Sequence, residues 1–138
     1  MNALDISASA LAAQRVRMTV VAANIANAHT TRDAYGKPNP YQRLAVVFGE
    51  GGPNGGSGGV HVREVRPDAI PFQWIHDPDH PNAVRDPSSP HNGSVRMPRV
   101  NVIEETVDMM VATRNYEANL AAMEATKAMH AAALRIIA

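Results

Sequence analysis

The sequence predicts an α+β chain in which long N- and C-terminal helices pair as a coiled coil around an extended, partly β middle rich in Gly and Pro loops. Three observations carry this. Apolar residues recur in alternating steps of four and three at both ends of the chain, the spacing of helices that pack along other helices. Short stretches of alternating apolar residues occur only between those ends. Glycines and prolines cluster in the same middle. The expected organisation is one helical domain made of residues 1–30 and 100–138, with 31–99 as an extended loop and small β region.

The C-terminal helix is the clearest element. Pro98 stops any earlier helix, Asn101 is placed as its N-cap, and Glu104 stands where a capping box wants a carboxylate. No Pro or Gly follows to the end of the chain. Acidic Glu104, Glu105 and Asp108 open the helix while Lys127 and Arg135 lie near its end, the arrangement that the helix dipole favours. The three carboxylates read as a solvated first turn, not as a catalytic pair. One face runs Val102, Thr106, Met109, Thr113, Tyr116, Leu120, Met123, Lys127, His130, Leu134, Ile137. Lys127 and His130 interrupt it, so either the seam rotates there or the helix end is exposed. At 1.5 Å per residue such a helix is roughly 50 Å long, more than the core of a small globule covers.

The first helix is expected over residues 3–28. Leu4, Ala8, Leu11, Arg15, Met18, Ala22 and Ile25 repeat the spacing, with the Arg15 stem lying along the seam. Asn27 is suited to end the helix in the left-handed conformation. Residues 31–42 read as loop. Residues 42–48 and 60–65 read as strands joined by the glycine run 49–59, a flexible hairpin loop. The second strand has one slip in its alternation, between Val62 and Val65. A third strand or apolar anchor is expected over 71–75, where Phe72 and Trp74 join Phe48 in a small β core. Residues 77–98, rich in proline, read as extended loop.

Composition narrows the function. The formal net charge is zero, which leaves no electrostatic footprint for nucleic acid or an anionic membrane. No apolar stretch is long enough to span a bilayer, and no basic, apolar leader of a cleaved signal peptide opens the chain. There is no cysteine, so neither a disulfide framework nor a thiol nucleophile is available. The glycine run is followed by no Gly-Lys-Ser/Thr and opens no helix, which argues against a phosphate loop. His76, Asp77, Asp79, His80 and His91 have ligand chemistry, but Pro78 and Pro81 break the helix that would align them, so no metal site is assigned. No cofactor, small-molecule substrate or catalytic residue is expected.

Two stretches carry a resemblance. Ala23-Asn24-Ile25-Ala26-Asn27-Ala28-His29-Thr30 is similar to the Asn-x-Ala-Asn-x-x-Thr signature of the bacterial flagellar rod, hook and filament axial family. Residues 102–110 with 112–119, among them Glu104, Glu105, Asp108, Arg114, Tyr116, Glu117 and Asn119, resemble the C-terminal signature of that family's proximal rod proteins. Pro40-Tyr41-Gln42-Arg43 and residues 77–83 fit the same family, whereas His76, Ser94 and Arg99 depart from its usual residues. The resemblance spans nearly the whole chain. It implies a structural subunit of the flagellar basal-body rod that assembles with copies of itself and other rod proteins to form drive shaft and export channel. It also implies passage through the flagellar type III export apparatus without a cleaved signal, and a place in the periplasm-spanning rod. The assembly face would then be Leu4, Leu11, Met18, Ile25, Val102, Met109, Tyr116, Leu120, Met123, Leu134 and Ile137. A reading from another class is a soluble helical adaptor that holds one partner through its C-terminal helix.

Overall fold

The computed structural model describes residues 3–51, 58–69 and 72–137. Six elements follow in order: α1 (Ala3–Ala26), β1 (Leu44–Glu50), β2 (Val60–Pro67), β3 (Gln73–His76), β4 (Ser94–Met97) and α2 (Val102–Ile137). The α+β class is as expected. α1 and α2 pack against each other. Arg17 meets Asp108, Asn24 meets Glu105, and the Thr113 hydroxyl points at the Met18 sulfur. The pair is therefore antiparallel.

α2 begins as its sequence asks. The Asn101 side-chain oxygen accepts the Ile103 amide at 3.1 Å, an N-cap bond. Among the described residues no return bond runs from the Glu104 carboxylate, so the cap is a single Asn bond and not a box. α1 ends differently from the expectation. Among the described residues no non-glycine residue has positive φ, so Asn27 is not left-handed. Its side-chain amide donates to the Ala23 carbonyl at 2.9 Å and its backbone amide bonds the same carbonyl, which closes the last turn.

β1 and β2 form an antiparallel hairpin that lies along α1. At one end Ser9 Oγ accepts the Val60 amide at 3.1 Å, and at the other Asn24 holds Leu44. The register shifts between Val47 and Phe48, whose partners are Glu64 and Val62, so Arg63 is the extra residue of a bulge. That is the slip visible in the alternation of β2. The tip of the hairpin, with most of the glycine run, lies outside the described residues.

β3 and β4 form a second, separate antiparallel pair. β4 corrects the expectation of loop throughout 77–98: residues 94–97 are a strand, and Val95 is among the most buried side chains of the described residues. Four residues carrying one buried apolar side chain give little periodicity to read. The expected single β core of Phe48, Phe72 and Trp74 is also corrected. Phe48 belongs to the hairpin, Trp74 stacks on His91 at 4.0 Å, and the Arg96 guanidinium lies 4.6 Å above the Phe72 ring. Asn82 ties this unit to the segment that follows α1 through Thr31 and Arg32.

Candidate assembly surface

The surface that could join this chain to others is defined by what the helix pair buries and what it leaves out. The face of α2 turned to α1 is Glu105, Asp108, Met109, Ala112, Tyr116, Asn119, Met123 and Thr126, all buried or half-buried. Ala112 is at the centre with 0% exposure, small enough to let the helices approach closely. The seam read from sequence is therefore rotated. Met109, Thr113, Tyr116 and Met123 lie on the true face or its edge, whereas Val102, Thr106, Leu120 and Lys127 are exposed. In place of the row Thr106, Thr113, Leu120 and Lys127 the buried or half-buried row is Glu105, Ala112, Asn119 and Thr126, one position earlier in each heptad.

α1 has the same displacement for a different reason. Leu4, Leu11, Met18 and Ile25 are half-buried, but Ala8, Arg15 and Ala22 are exposed. Ala13, Val20, Val21 and Asn24 are its buried positions. α1 is covered by α2 on one side and by the hairpin on another, so its burial spreads over more than one stripe and a single seam cannot describe it.

Behind this surface lies a polar junction that the sequence reading missed. Glu105, taken as part of a solvated turn, is 1% exposed. Its carboxylate accepts the Asn24 amide at 3.0 Å and Arg43 Nε at 2.6 Å. Asn24, equally buried, offers its side chain to β1 as a neighbouring strand would. It donates to the Leu44 carbonyl and accepts the Leu44 amide, each at 2.9 Å. The Tyr41 hydroxyl donates to the same Asn24 oxygen at 3.0 Å. Arg43 also pairs with Asp68 at 2.8 Å, where the hairpin ends, while Arg17 reaches Asp108 at 3.2 Å. One Asn and one Arg thus fasten α1, β1, the end of β2 and α2 together, beside a cleft of about 270 Å³ lined by Val20, Val21 and Phe48.

Charge inside the junction has direct effects. Burial pulls the Arg43 guanidinium down, but its hydrogen bonds and attraction to Glu105 and then Asp68 outweigh that and raise it. The Tyr41 phenol is raised, first by burial and then by the Glu105 charge. Every buried polar atom named here has a partner, as burial requires.

The remaining motif residues are placed apart. Ala26 and Glu104 are exposed, and Thr30 Oγ1 bonds the Asn27 side chain at 3.1 Å. Arg114 and Glu117 form an exposed i,i+3 pair at 3.1 Å. Asn119 bonds its own helix at Asn115. Among the described residues no group of His, Asp and Glu could hold a metal ion, and no helix is long and apolar enough to cross a membrane.

Comparison with known proteins identifies the architecture. Residues 4–32 match the family described as "Flagella basal body rod protein", and residues 91–136 match "Flagellar basal body rod FlgEFG protein C-terminal". The chain is 40% identical to the flagellar basal-body rod protein FlgC of Bacillus subtilis (strain 168), over 98% of this chain and 96% of that one. It is 43% identical to the FlgC of Aquifex aeolicus (strain VF5) over 91% of this chain and 88% of that one, and 38% identical to that of Salmonella typhimurium over 94% and 91%. The chain belongs to the FlgC family of flagellar basal-body rod proteins. As a FlgC-family member it is a structural subunit of the flagellar basal-body rod and not an enzyme. The two matched segments cover α1 and α2 except Ala3 and Ile137, and the junction joins them through Asn24 and Glu105.

Proposed function

We propose that this rod subunit polymerises through its terminal helices, with residues 1–30 and 100–138 acting as one domain around the export channel and 31–99 forming the layer outside it. Its neighbours on this reading are copies of itself and other rod proteins. It reaches the rod through the flagellar type III export apparatus without a cleaved signal. The observation that carries the reading is a mismatch of length. α1 has 24 residues and α2 has 36, so about 18 Å of α2 has no partner in α1. Residues 127–136 are exposed all round, and Met129, Leu134 and Ile136 are among them. Ile103, Val107, Met110, Val111 and Leu120 add exposed apolar surface nearer the start of α2. A helix this apolar on open faces gains by meeting another chain. Of the residues proposed for assembly, Leu4, Leu11, Met18, Ile25, Met109, Tyr116 and Met123 are at the rim of the helix pair, whereas Val102, Leu120 and Leu134 are free to contact neighbours. The Ile137 side chain lies outside the described residues.

The test is a density map of basal bodies isolated from cells carrying this chain. Its helix pair should be traceable in the rod. A chain missing from the basal body and recovered in a fixed-stoichiometry complex with one soluble partner would replace this reading with the adaptor.

A further inference from the structure

β3, β4 and the turns between them form a unit that the rest of the chain holds at one point. Among the described residues no backbone of β3 or β4 comes close to either helix or to the β1–β2 hairpin. The segment after α1 faces the unit across a cleft of about 290 Å³, with Pro38 and Pro40 on one side and Trp74, Val84 and Val95 on the other. Among the described residues the hydrogen bonds that join the two sides all end on Asn82. Its side-chain amide donates to Thr31 Oγ1 at 2.9 Å, and its side-chain oxygen accepts Arg32 Nε at 2.7 Å.

The turn that presents Asn82 is set by His80. His80 Nδ1 accepts the Asn82 backbone amide at 3.1 Å. The His80 amide donates to the Asp77 carbonyl at 3.3 Å, and the His80 carbonyl accepts the Ala83 amide at 3.0 Å. A ring nitrogen that accepts from an N–H carries no proton, so the bond to Asn82 exists only with a neutral imidazole. Protonation sets two donors face to face, turns the ring away and leaves the amide of half-buried Asn82 without its partner. It also brings a cation near the residue that holds Arg32. Asp77 and Asp79, on the same turn, favour the imidazolium. Across the cleft Arg32 opposes it, while the Asp33 carboxylate is taken up by the Tyr35 and Lys37 amides. On the strands, Arg96 lies over the Phe72 ring.

We infer that His80 is a proton-sensitive latch. With a neutral imidazole, Asn82 clasps the β3–β4 unit to the segment after α1; protonation opens the clasp and frees the unit to pivot while the helix pair stays in place. The latch does not depend on the rod reading. On that reading it lets the outer layer shift over a fixed inner one.

The absence of cysteine allows two spin labels to be placed without background. Ala118→Cys on α2 and Ser88→Cys in the turns before β4 are both exposed positions. The distance between the labels is measured in the full chain by pulsed electron spin resonance at about pH 8 and about pH 5, the interval in which a histidine side chain changes charge. The expected result is a narrow distance distribution at the higher pH that becomes several times wider at the lower one. His80→Asn keeps an acceptor for the amide two residues on and cannot be protonated, so it should hold the distribution narrow at both. His76 and His91 remain in that variant, which separates their titration from that of His80. Asn82→Ala should be wide at both pH values. The latch is overturned if the parent gives the same distribution at both, if His80→Asn widens in acid as the parent does, or if Asn82→Ala stays narrow at the higher pH. General acid unfolding would widen His80→Asn as well and so counts against the latch.

Discussion

Asn24 and Glu105 are 81 positions apart in the chain, yet the amide of one donates to the carboxylate of the other at 3.0 Å inside the helix pair. The bond places a charged acceptor where neither helix could satisfy it alone. Arg43 supplies the countercharge, so each strand and helix around the junction holds one piece of a single polar unit. Such a unit contributes less to stability than to uniqueness, because an apolar filling of the same volume could be as stable but would not fix register.

Glu105→Ala should therefore be the most damaging single truncation on α2. It takes one acceptor from the Asn24 amide and one of three anions from Arg43. The expected loss is near the low end of the roughly 3–5 kcal/mol for breaking a buried pair, since Arg43 keeps Asp68. Asn24→Asp should also be costly, because it places a second carboxylate beside Glu105 and deletes the donor. Urea unfolding followed by circular dichroism measures both. Stability within about 0.5 kcal/mol of wild type for either variant would contradict the burial assigned to this bond.

Much of the fold was legible, and what was not has a physical reason. The ends of α2, its Asn101 cap and the bulge in β2 can be read from local chemistry, because each depends on neighbours in sequence. The seams cannot. Leu120 attracts a seam through Met123 and Tyr116, but Asn119 and Ala112 are what α1 meets, because a close helix approach selects small side chains over large ones. The burial of Glu105 is hidden from the sequence for another reason. A carboxylate in a first helical turn is ordinarily solvated, and only tertiary structure brings Arg43 and Asn24 to it. The signal available was the two motif stretches themselves, each of which carries a polar residue, Asn24 or Glu105, beside an apolar row. β4 was hidden by brevity.

The hairpin contains a close approach that predicts a coupled pair. A Cβ at Gly49 would lie 2.7 Å from His61 Cε1, while His61 Nδ1 donates to the Gly51 carbonyl at 2.8 Å. Gly49→Ala must push the imidazole off that bond and should lose about 1 kcal/mol. In a His61→Ala background the same change should be neutral or stabilising by about 0.5–1 kcal/mol, since alanine suits a strand better than glycine. A double-mutant cycle by thermal unfolding reads the difference directly. Equal effects of Gly49→Ala in both backgrounds would contradict the contact.

Tyr41 gives the junction a pH dependence at the alkaline end. Its phenol is raised from the ordinary 10.0 in the folded chain, so between the unfolded and folded values the folded state holds more protons. Stability is then fully present below about pH 10 and falls as pH rises through the folded value. Tyr41→Phe should be less stable at neutral pH, having lost the bond to Asn24, and its stability should decline less steeply above pH 10. The slope of unfolding free energy against pH in the two proteins decides this. Identical slopes would mean that the phenol is not held at the junction.

The contrast between Ala112 and Leu120 separates folding from assembly. Ala112 has no exposed surface between the helices, whereas Leu120 remains 39% exposed. Ala112→Leu inserts volume at a position with no exposed surface, and overpacking should destabilise the isolated chain by about 1–3 kcal/mol. Leu120→Asp removes apolar surface that the free chain only partly covers. It should shift unfolding of the isolated chain much less, yet an assembled neighbour covering Leu120 would have to desolvate the aspartate without a partner. Leu120→Asp should therefore yield folded, exportable protein that is depleted from basal bodies and leaves cells poorly motile. Leu120→Met, which keeps size and apolarity, should swim as wild type. Basal-body content of the aspartate variant set against its solution stability is the deciding comparison. A variant folded and fully incorporated would remove Leu120 from the assembly face, and one that unfolds in isolation would place it in the helix pair.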